Sequence, residues 1–309
     1  MPLHLTPRRE FLCRAALAGA SLLVPRGLFA ADPASARWAL LSDTHIGPKP
    51  ETIARETNMA EHLRASVKEV LAAKTTLSGV FINGDCALKA GLPEEYATFT
   101  TLVKPLTEAG LPLHMTLGNH DDRANFWQAL NFAADAARPV QSKHVSVVKS
   151  PLANWFLLDS LDVVDKPPGK LEAAQREWLA QALDAHADKP ALVMVHHNPH
   201  LDPTKPNSTL LDTAELFEIL LPRKQVKSLF FGHSHKWDLK EKEGLHLVNL
   251  PAVAYPFAKD QPTGWVDCEL KPGGMTLELH AHNEQHPAQD RKSTRLNSSH
   301  ANISYAVFC

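Results

Sequence analysis

Five short polar blocks, each placed directly after an apolar run, constrain this chain more than any other feature. They read Asp43-Thr44-His45, Gly84-Asp85, Gly118-Asn119-His120-Asp121, His196-His197 and Gly232-His233-Ser234-His235. The preceding runs, residues 38–41, 79–83, 113–117, 191–195 and 228–231, read as short buried strands, so each block sits where a strand opens into a loop. Together the blocks offer carboxylates, imidazoles and an amide, enough donors to hold two metal ions. Singly, each block has an ordinary reading as a turn, a cap or a surface loop. The ordered set is what carries meaning.

The chemistry of the donors narrows the metal. Imidazole suits Zn, Fe, Cu and Ni, whereas Mg and Ca prefer all-oxygen cages, so the expected ions are transition metals. Residues two apart on an extended segment share a side, which predicts that Asp43 and His45 reach one ion and that His233 and His235 face one cavity. Two divalent ions bring about +4, and Asp43 and Asp85 remove about 2 of it, leaving a net positive site suited to an anion such as a phosphate ester. Asp121 is placed to cap a following helix. His114 reads as a core histidine on a strand, while His197 and His200 read either as pocket lining or as solvated side chains.

Between the blocks, strands and helices alternate. Helical periodicity covers residues 52–73, 93–109, 123–132, 171–186 and 211–221. Further strands are expected at 145–148, 155–158, 246–249, 265–270 and 275–280. Helices drop out of the last third, which argues against a purely parallel sheet. The expected class is α/β (α+β by some schemes): a four-layer α-β-β-α sandwich with two mixed β-sheets in one domain.

Composition excludes several roles. Lys plus Arg (32) nearly cancels Asp plus Glu (34), so nothing argues for a nucleic-acid duplex as partner. After the N-terminus no apolar run is long enough to anchor the chain stably in a membrane. At the N-terminus, Arg8-Arg9-Glu10-Phe11-Leu12 before an apolar stretch resembles a twin-arginine export signal covering residues 1–30, with Leu28-Phe29-Ala30 as cleavage site. The expected location is therefore periplasmic or extracellular. Residues 290–309 resemble a translated sequencing adaptor, whose start spells Asp290-Arg291-Lys292-Ser293, so the expected domain is 31–289 and the natural C-terminus lies elsewhere. Setting both ends aside leaves Cys86 and Cys268 of the four cysteines, expected as free thiols.

The five blocks resemble those of the calcineurin-like metallophosphoesterases over roughly residues 38–282. Leu158-Asp159-Ser160, Gly169-Lys170-Leu171, Gln175 and Trp178-Leu179 are similar to the bacterial branch that holds cyclic-nucleotide phosphodiesterases and glycerophosphodiesterases. By that resemblance Asp43, His45 and His235 bind one metal, Asn119, His196 and His233 bind the other, and Asp85 bridges them. His120 is implied to bind the phosphate and assist the leaving group, while a metal-bridging hydroxide attacks phosphorus. The implied cofactors are two transition-metal ions (Fe, Mn or Zn), and the implied substrate is a small phosphoester, most readily a diester. The alternatives are a phosphomonoesterase or nucleotide phosphatase, and a non-catalytic interaction protein of the same fold; such proteins lose ligands, and none is lost here. The chain departs from the family pattern in following Gly84-Asp85 with Cys86-Ala87-Leu88 and in placing Asn198 between His197 and Pro199. Both departures are expected in the wall of the site.

Overall fold

The computed structural model describes residues 35–73, 75–132, 138–202, 204 and 208–289, together with the backbone of 306–307. The proposed export signal and nearly all of the adaptor-like tail lie outside the described residues. From Ser35 onward the chain packs as one unit.

Two six-stranded sheets form its centre. The first runs in the order β14-β13-β12-β1-β4-β5, where β1 is Ala36–Ser42, β4 Gly79–Asn83, β5 Leu113–Thr116, β12 Gly264–Lys271, β13 Gly274–Ala281 and β14 Ala306–Val307. The second runs β10-β11-β9-β8-β7-β6, with β6 Ser146–Lys149, β7 Asn154–Leu157, β8 Ala191–Met194, β9 Val226–Phe231, β10 Asp238–Lys242 and β11 Leu245–Asn249. Both sheets are mixed: β1, β4 and β5 pair in parallel while β12 and β13 run antiparallel. In the second, β7, β8, β9 and β11 are parallel, with β6 and β10 as antiparallel edges. A small hairpin, β2 (Ile53–Ala54) with β3 (Thr57–Asn58), stands apart.

Side-chain alternation divides each strand between two cores. Trp38 and Leu40 of β1, Phe81 of β4, Trp155 of β7 and Phe230 of β9 fill the space between the sheets. Their rings form a chain, with Trp38–Phe81 at 4.9 Å, Phe81–Trp155 at 4.5 Å and Trp155–Phe230 at 5.2 Å. A large aromatic in such a core is worth about 3–5 kcal/mol against alanine. The intervening residues, such as Ala39, Leu41, Val80 and Ile82, pack outward under helices α1 (Met59–Leu71), α2 (Pro93–Glu108) and α3 (Arg123–Ala129). Outward residues of the second sheet, among them Phe156, Val193 and Leu229, meet α4 (Ala173–Ala185) and α5 (Thr213–Leu220). Four layers result, as the sequence predicts.

The periodicity read over residues 52–73 is corrected at its start. Residues 53–58 of that span hold the β2–β3 hairpin, and the helix begins at Met59, capped by Asn58, whose side chain accepts from the Glu61 amide at 3.1 Å. Asp121 does not cap α3; Asp122 does, accepting from the Asn125 amide at 2.9 Å. Strand β10, of sequence Asp-Leu-Lys-Glu-Lys, went unpredicted because an exposed edge strand carries charge in place of an apolar run.

All five blocks follow the carboxyl ends of parallel strands: β1, β4 and β5 of one sheet, β8 and β9 of the other. Asn83, the last residue of β4, joins the two sheets at that edge. Its Nδ2 donates to the Val195 carbonyl at 3.1 Å, its Oδ1 accepts from Thr116 Oγ1 at 2.7 Å, and its carbonyl accepts from His196 Nδ1 at 2.9 Å. Ligands of open α/β sheets bind outside the carboxyl ends of strands, and here two such edges meet.

Candidate metal centre

The backbone of the blocks departs from the extended geometry expected of it. Asp43 (φ 52°), His45 (φ 45°), Asp85 (φ 48°), His233 (φ 64°) and His235 (φ 50°) all occupy the left-handed region. Asp43 and His45 do converge, and His233 and His235 do line one cavity, but turns past the strand ends achieve this, not strand alternation. Close approach makes two glycines obligatory. Gly84 has φ +70°, and a Cβ there would lie 2.6 Å from His196 Nδ1; a Cβ on Gly118 would lie 2.1 Å from Asp85 Oδ1.

Among the described residues three clusters bring potential ligand atoms within 4.8 Å of one another: Asp43 with His45 and His235; Asp85 with His196 and His233; and His45 with Asp85 and His120. The third cluster joins the other two, sharing His45 with the first and Asp85 with the second, and Asp85 Oδ2 lies 3.2 Å from His196 Nε2 and 3.6 Å from His45 Nε2. Asp43 Oδ1 lies 3.3 Å from His235 Nε2 and 3.9 Å from His196 Nε2. His120 is partly exposed and held differently. Its Nδ1 donates to the Lys89 carbonyl at 2.8 Å with Asp165 Oδ1 at 3.5 Å, and its amide donates to Asp85 Oδ1 at 2.9 Å.

These residues fit a pair of metal ions on the chemistry of their donors. His45, His196 and His235 each turn Nδ1 toward a backbone carbonyl, of Leu88 (3.3 Å), Asn83 (2.9 Å) and Tyr255 (2.5 Å) respectively. A carbonyl can only accept, so Nδ1 carries a proton and in the neutral ring Nε2 presents a lone pair, the orientation that ligating histidines adopt. The Nε2 atoms of His45 and His235 then face each other at 3.0 Å, two acceptors with no proton to share, which a cation between them resolves. Asn119 Oδ1 and His196 Nε2 are buried without a hydrogen-bond partner.

Charge points the same way. Burial opposes ionisation of Asp43, but His235 and His196 outweigh it and hold the carboxyl at about 2. Asp85 is likewise held well below the usual carboxylate range by His196 and His45 against the cost of burial. Burial keeps His45 (about 3) and His233 (about 4) neutral and therefore able to ligate. His196 alone is pushed up, to about 10, because Asp85 and Asp43 outweigh its burial. Two buried carboxylates thus draw one proton as counter-charge, the place a cation takes over.

Beneath the ligands lies a carboxylate whose role sequence reasoning misjudged. Asp121 accepts from the amides of Gly118 (2.9 Å), Cys86 (3.1 Å) and Ala87 (3.2 Å) and from the Tyr96 hydroxyl (3.0 Å), clamping the Gly84-Asp85 and Gly118-Asn119 loops together. Burial and the nearby Asp85 raise its carboxyl to about 6. His197 is neither pocket lining nor solvated. It is fully buried, bonded to Ser160 Oγ at 2.7 Å and set 4.7 Å ring to ring from His233. His114 lies on β5, packed against Phe81 and Trp38. Of the departures from the family pattern, Leu88 lines the cavity above the clusters, Cys86 is in the core, and Asn198 lines a separate cavity with Pro199 and His200. Cys86 and Cys268 are both free and buried.

The profile described as calcineurin-like phosphoesterase matches residues 36–237. The chain belongs to that family. As a calcineurin-like phosphoesterase it is a metal-dependent hydrolase of phosphoesters, with buried His/Asp clusters typical of a dimetal site. It is 28% identical over 258 residues to the 3',5'-cyclic adenosine monophosphate phosphodiesterase CpdA of Pseudomonas aeruginosa, covering 81% of this chain and 88% of that protein. It is 26% identical over 250 residues to a 3',5'-cyclic-nucleotide phosphodiesterase of Nostoc, covering 79% of this chain and 87% of that one. A dimetal phosphatase from Danio rerio shares the fold with a TM-score of 0.63 at 16% identity, over 81% of this chain and 97% of that one.

Arg55, Tyr255 and Phe257 also line the cavity of this phosphoesterase and were missed in the sequence. They come from segments about two hundred residues apart, with no spacing to link them. No helix among the described residues is long and apolar enough to cross a membrane.

Proposed function

We propose that the chain is a dinuclear phosphodiesterase of small substrates, acting outside the cytoplasm. The observation that carries the dinuclear reading is Asp85, set between His45 of one cluster and His196 of the other. In this reading Asp43, His45 and His235 hold one ion, Asn119, His196 and His233 hold the second, and Asp85 serves both. Bound ions of this kind supply positive charge for phosphoryl oxygens and lower the pKa of water. The chain's own residues do the rest. His120, tethered through Nδ1 and its amide, lines the cavity, where as an imidazolium it would hold a phosphoryl oxygen and pass its Nε2 proton to the departing alkoxide, leaving a neutral ring. Lys89 beside Asp165 adds charge at the rim.

The diester preference is supported by the relatives, several of which are named cyclic-nucleotide phosphodiesterases, and export is supported by the Arg8-Arg9 segment. The test is kcat/KM for bis(p-nitrophenyl) phosphate against p-nitrophenyl phosphate, with Mn, Zn and Fe loaded separately. The diester is expected to win with at least one metal. A clear monoester preference with every metal makes the protein a phosphatase on the same site.

A further inference from the structure

Leu158-Asp159-Ser160 and Gly169-Lys170-Leu171, distinctive in the sequence but outside the metal centre, frame one loop between β7 and α4. Its ends are tied together. The Lys170 amide donates to the Ser160 carbonyl at 2.9 Å, and the buried Lys143 ammonium donates to the carbonyls of Leu161 and Lys170, each at 3.2 Å. Asp159, fully buried, accepts from the Leu161 amide at 3.0 Å and pairs with Arg123 at 2.6 Å. A loop with closed ends and an anchored base carries its tip to a set place.

That tip rests on the Asn119-His120 block. The Asp165 amide donates to the Asn119 carbonyl at 2.7 Å, and Asp165 Oδ1 lies 3.5 Å from His120 Nδ1. The other carboxylate oxygen lies 3.9 Å from Lys89 Nζ, while the Lys89 carbonyl accepts from His120 Nδ1 at 2.8 Å. The imidazole is thus held from its Nδ1 side. It needs holding, because His120 stands close enough to His45 and Asp85 for all three to offer atoms to one ion. A ring drawn into that set would be lost to the substrate.

The backbone at Asp165 carries a second signal. The Lys166 amide donates to the Val163 carbonyl at 3.2 Å, so residues 163–166 form a turn with Asp165 third and at φ 59°. Glycine is favoured at such a position, since it takes positive φ without steric cost. An aspartate there accepts a local cost for the sake of its side chain. The carboxylate beside His120 is what that cost maintains.

We propose that Asp165 is a positioning residue for His120: the loop tip keeps the imidazole turned to the substrate and out of the metal's ligand set. Asp165 acts through His120 and touches no reacting atom. This rests on the proposed role of His120 and adds the group that holds it in place.

The test is a double-mutant cycle of Asp165→Gly and His120→Ala in the metal-loaded protein. It is read as kcat for diphenyl phosphate and for bis(p-nitrophenyl) phosphate, with metal content and thermal midpoint measured alongside. Alone, Asp165→Gly is expected to lower kcat for diphenyl phosphate about 10- to 100-fold, as a small misplacement of a catalytic group does, and to lower it less for the ester with the better leaving group. The thermal midpoint is expected to hold, because glycine suits the turn. In the His120→Ala background the same change is expected to cost less than about twofold, since the residue it positions is gone. An equal loss in both backgrounds overturns the inference, and so does a full rate in Asp165→Gly alone. If the glycine variant binds less metal, the cycle is read with Asp165→Asn, which also tolerates the turn, and the same two outcomes decide. A His120→Ala protein as fast as the wild type on both esters overturns the role given to His120 and the inference with it.

Discussion

The two halves of the metal centre are supported from different materials. Around Asp43, His45 and His235 the supports are loops: the Leu88 and Tyr255 carbonyls hold the imidazoles, and the rings of Tyr255 and Phe257 lie against them. Around Asp85, His196 and His233 the supports are strand ends and buried polar groups. Asn83 at the end of β4 holds His196, the Asp121 clamp fixes the Asp85 loop, and His197 packs on His233. The halves meet at one cavity, which His45 and His235 line from the first and Asp85 and His233 from the second. Loop supports and strand-end supports are therefore separable parts of one site.

Asp85 is where that separation ends, so its removal gives the largest effect. Asp85→Ala is expected to lose both ions and on the order of 10⁴-fold or more in rate, since metal stabilisation of charge is worth several kcal/mol. Elemental analysis finding one ion still tightly bound would show that the two halves hold metal independently. His120→Ala comes next, with both ions kept and a loss of roughly 100- to 10,000-fold, smallest for esters with good leaving groups. An equal loss for good and poor leaving groups removes the acid role and leaves phosphate binding.

The smallest effect sharpens the contrast from behind. The loop that supports the first half is itself held by His62, whose Nδ1 donates to the Ala254 carbonyl at 2.7 Å and whose ring lies 4.3 Å from His282. Burial first, and His62 second, lower His282 from 6.5 to about 4. The unfolded chain takes up this proton below pH 6.5 and the folded one only below about 4, so stability falls as pH is lowered through that window. The loss is at most about 3 kcal/mol. Denaturant unfolding from pH 7 to 4.5 should show a flatter slope in His282→Gln; an unchanged slope rejects the assignment.

Strands buried on both faces were legible because nothing but an apolar run can fill such a position, as Trp38 to Leu41 and Ala191 to Val195 show. Polar edges were not legible, and β10 is the example. The start of α1 could have been found, since Asn58 followed by Glu61 is a capping signal that the longer periodicity obscured. The seven expected ligands stood out because each block is chemically unusual after a strand. Asp121, two residues from Asn119, was visible but misread, because its partners Cys86 and Ala87 are close only in space. Arg55 and Phe257 left no trace: an arginine in a turn and a phenylalanine in a loop are individually unremarked, and only the fold brings them together.

The left-handed backbone of Asp43, His45, Asp85, His233 and His235 sets this enzyme's durability against its purpose. Aspartate tolerates that region better than most residues, and glycine better still. Each of the three histidines costs on the order of 1 kcal/mol in conformation, which the packed strand ends must restrain. Glycine at any of these positions would relax the chain while removing one of the proposed ligands. An ion that binds only the folded chain offsets that cost, so stability and metal content are expected to rise together in this protein.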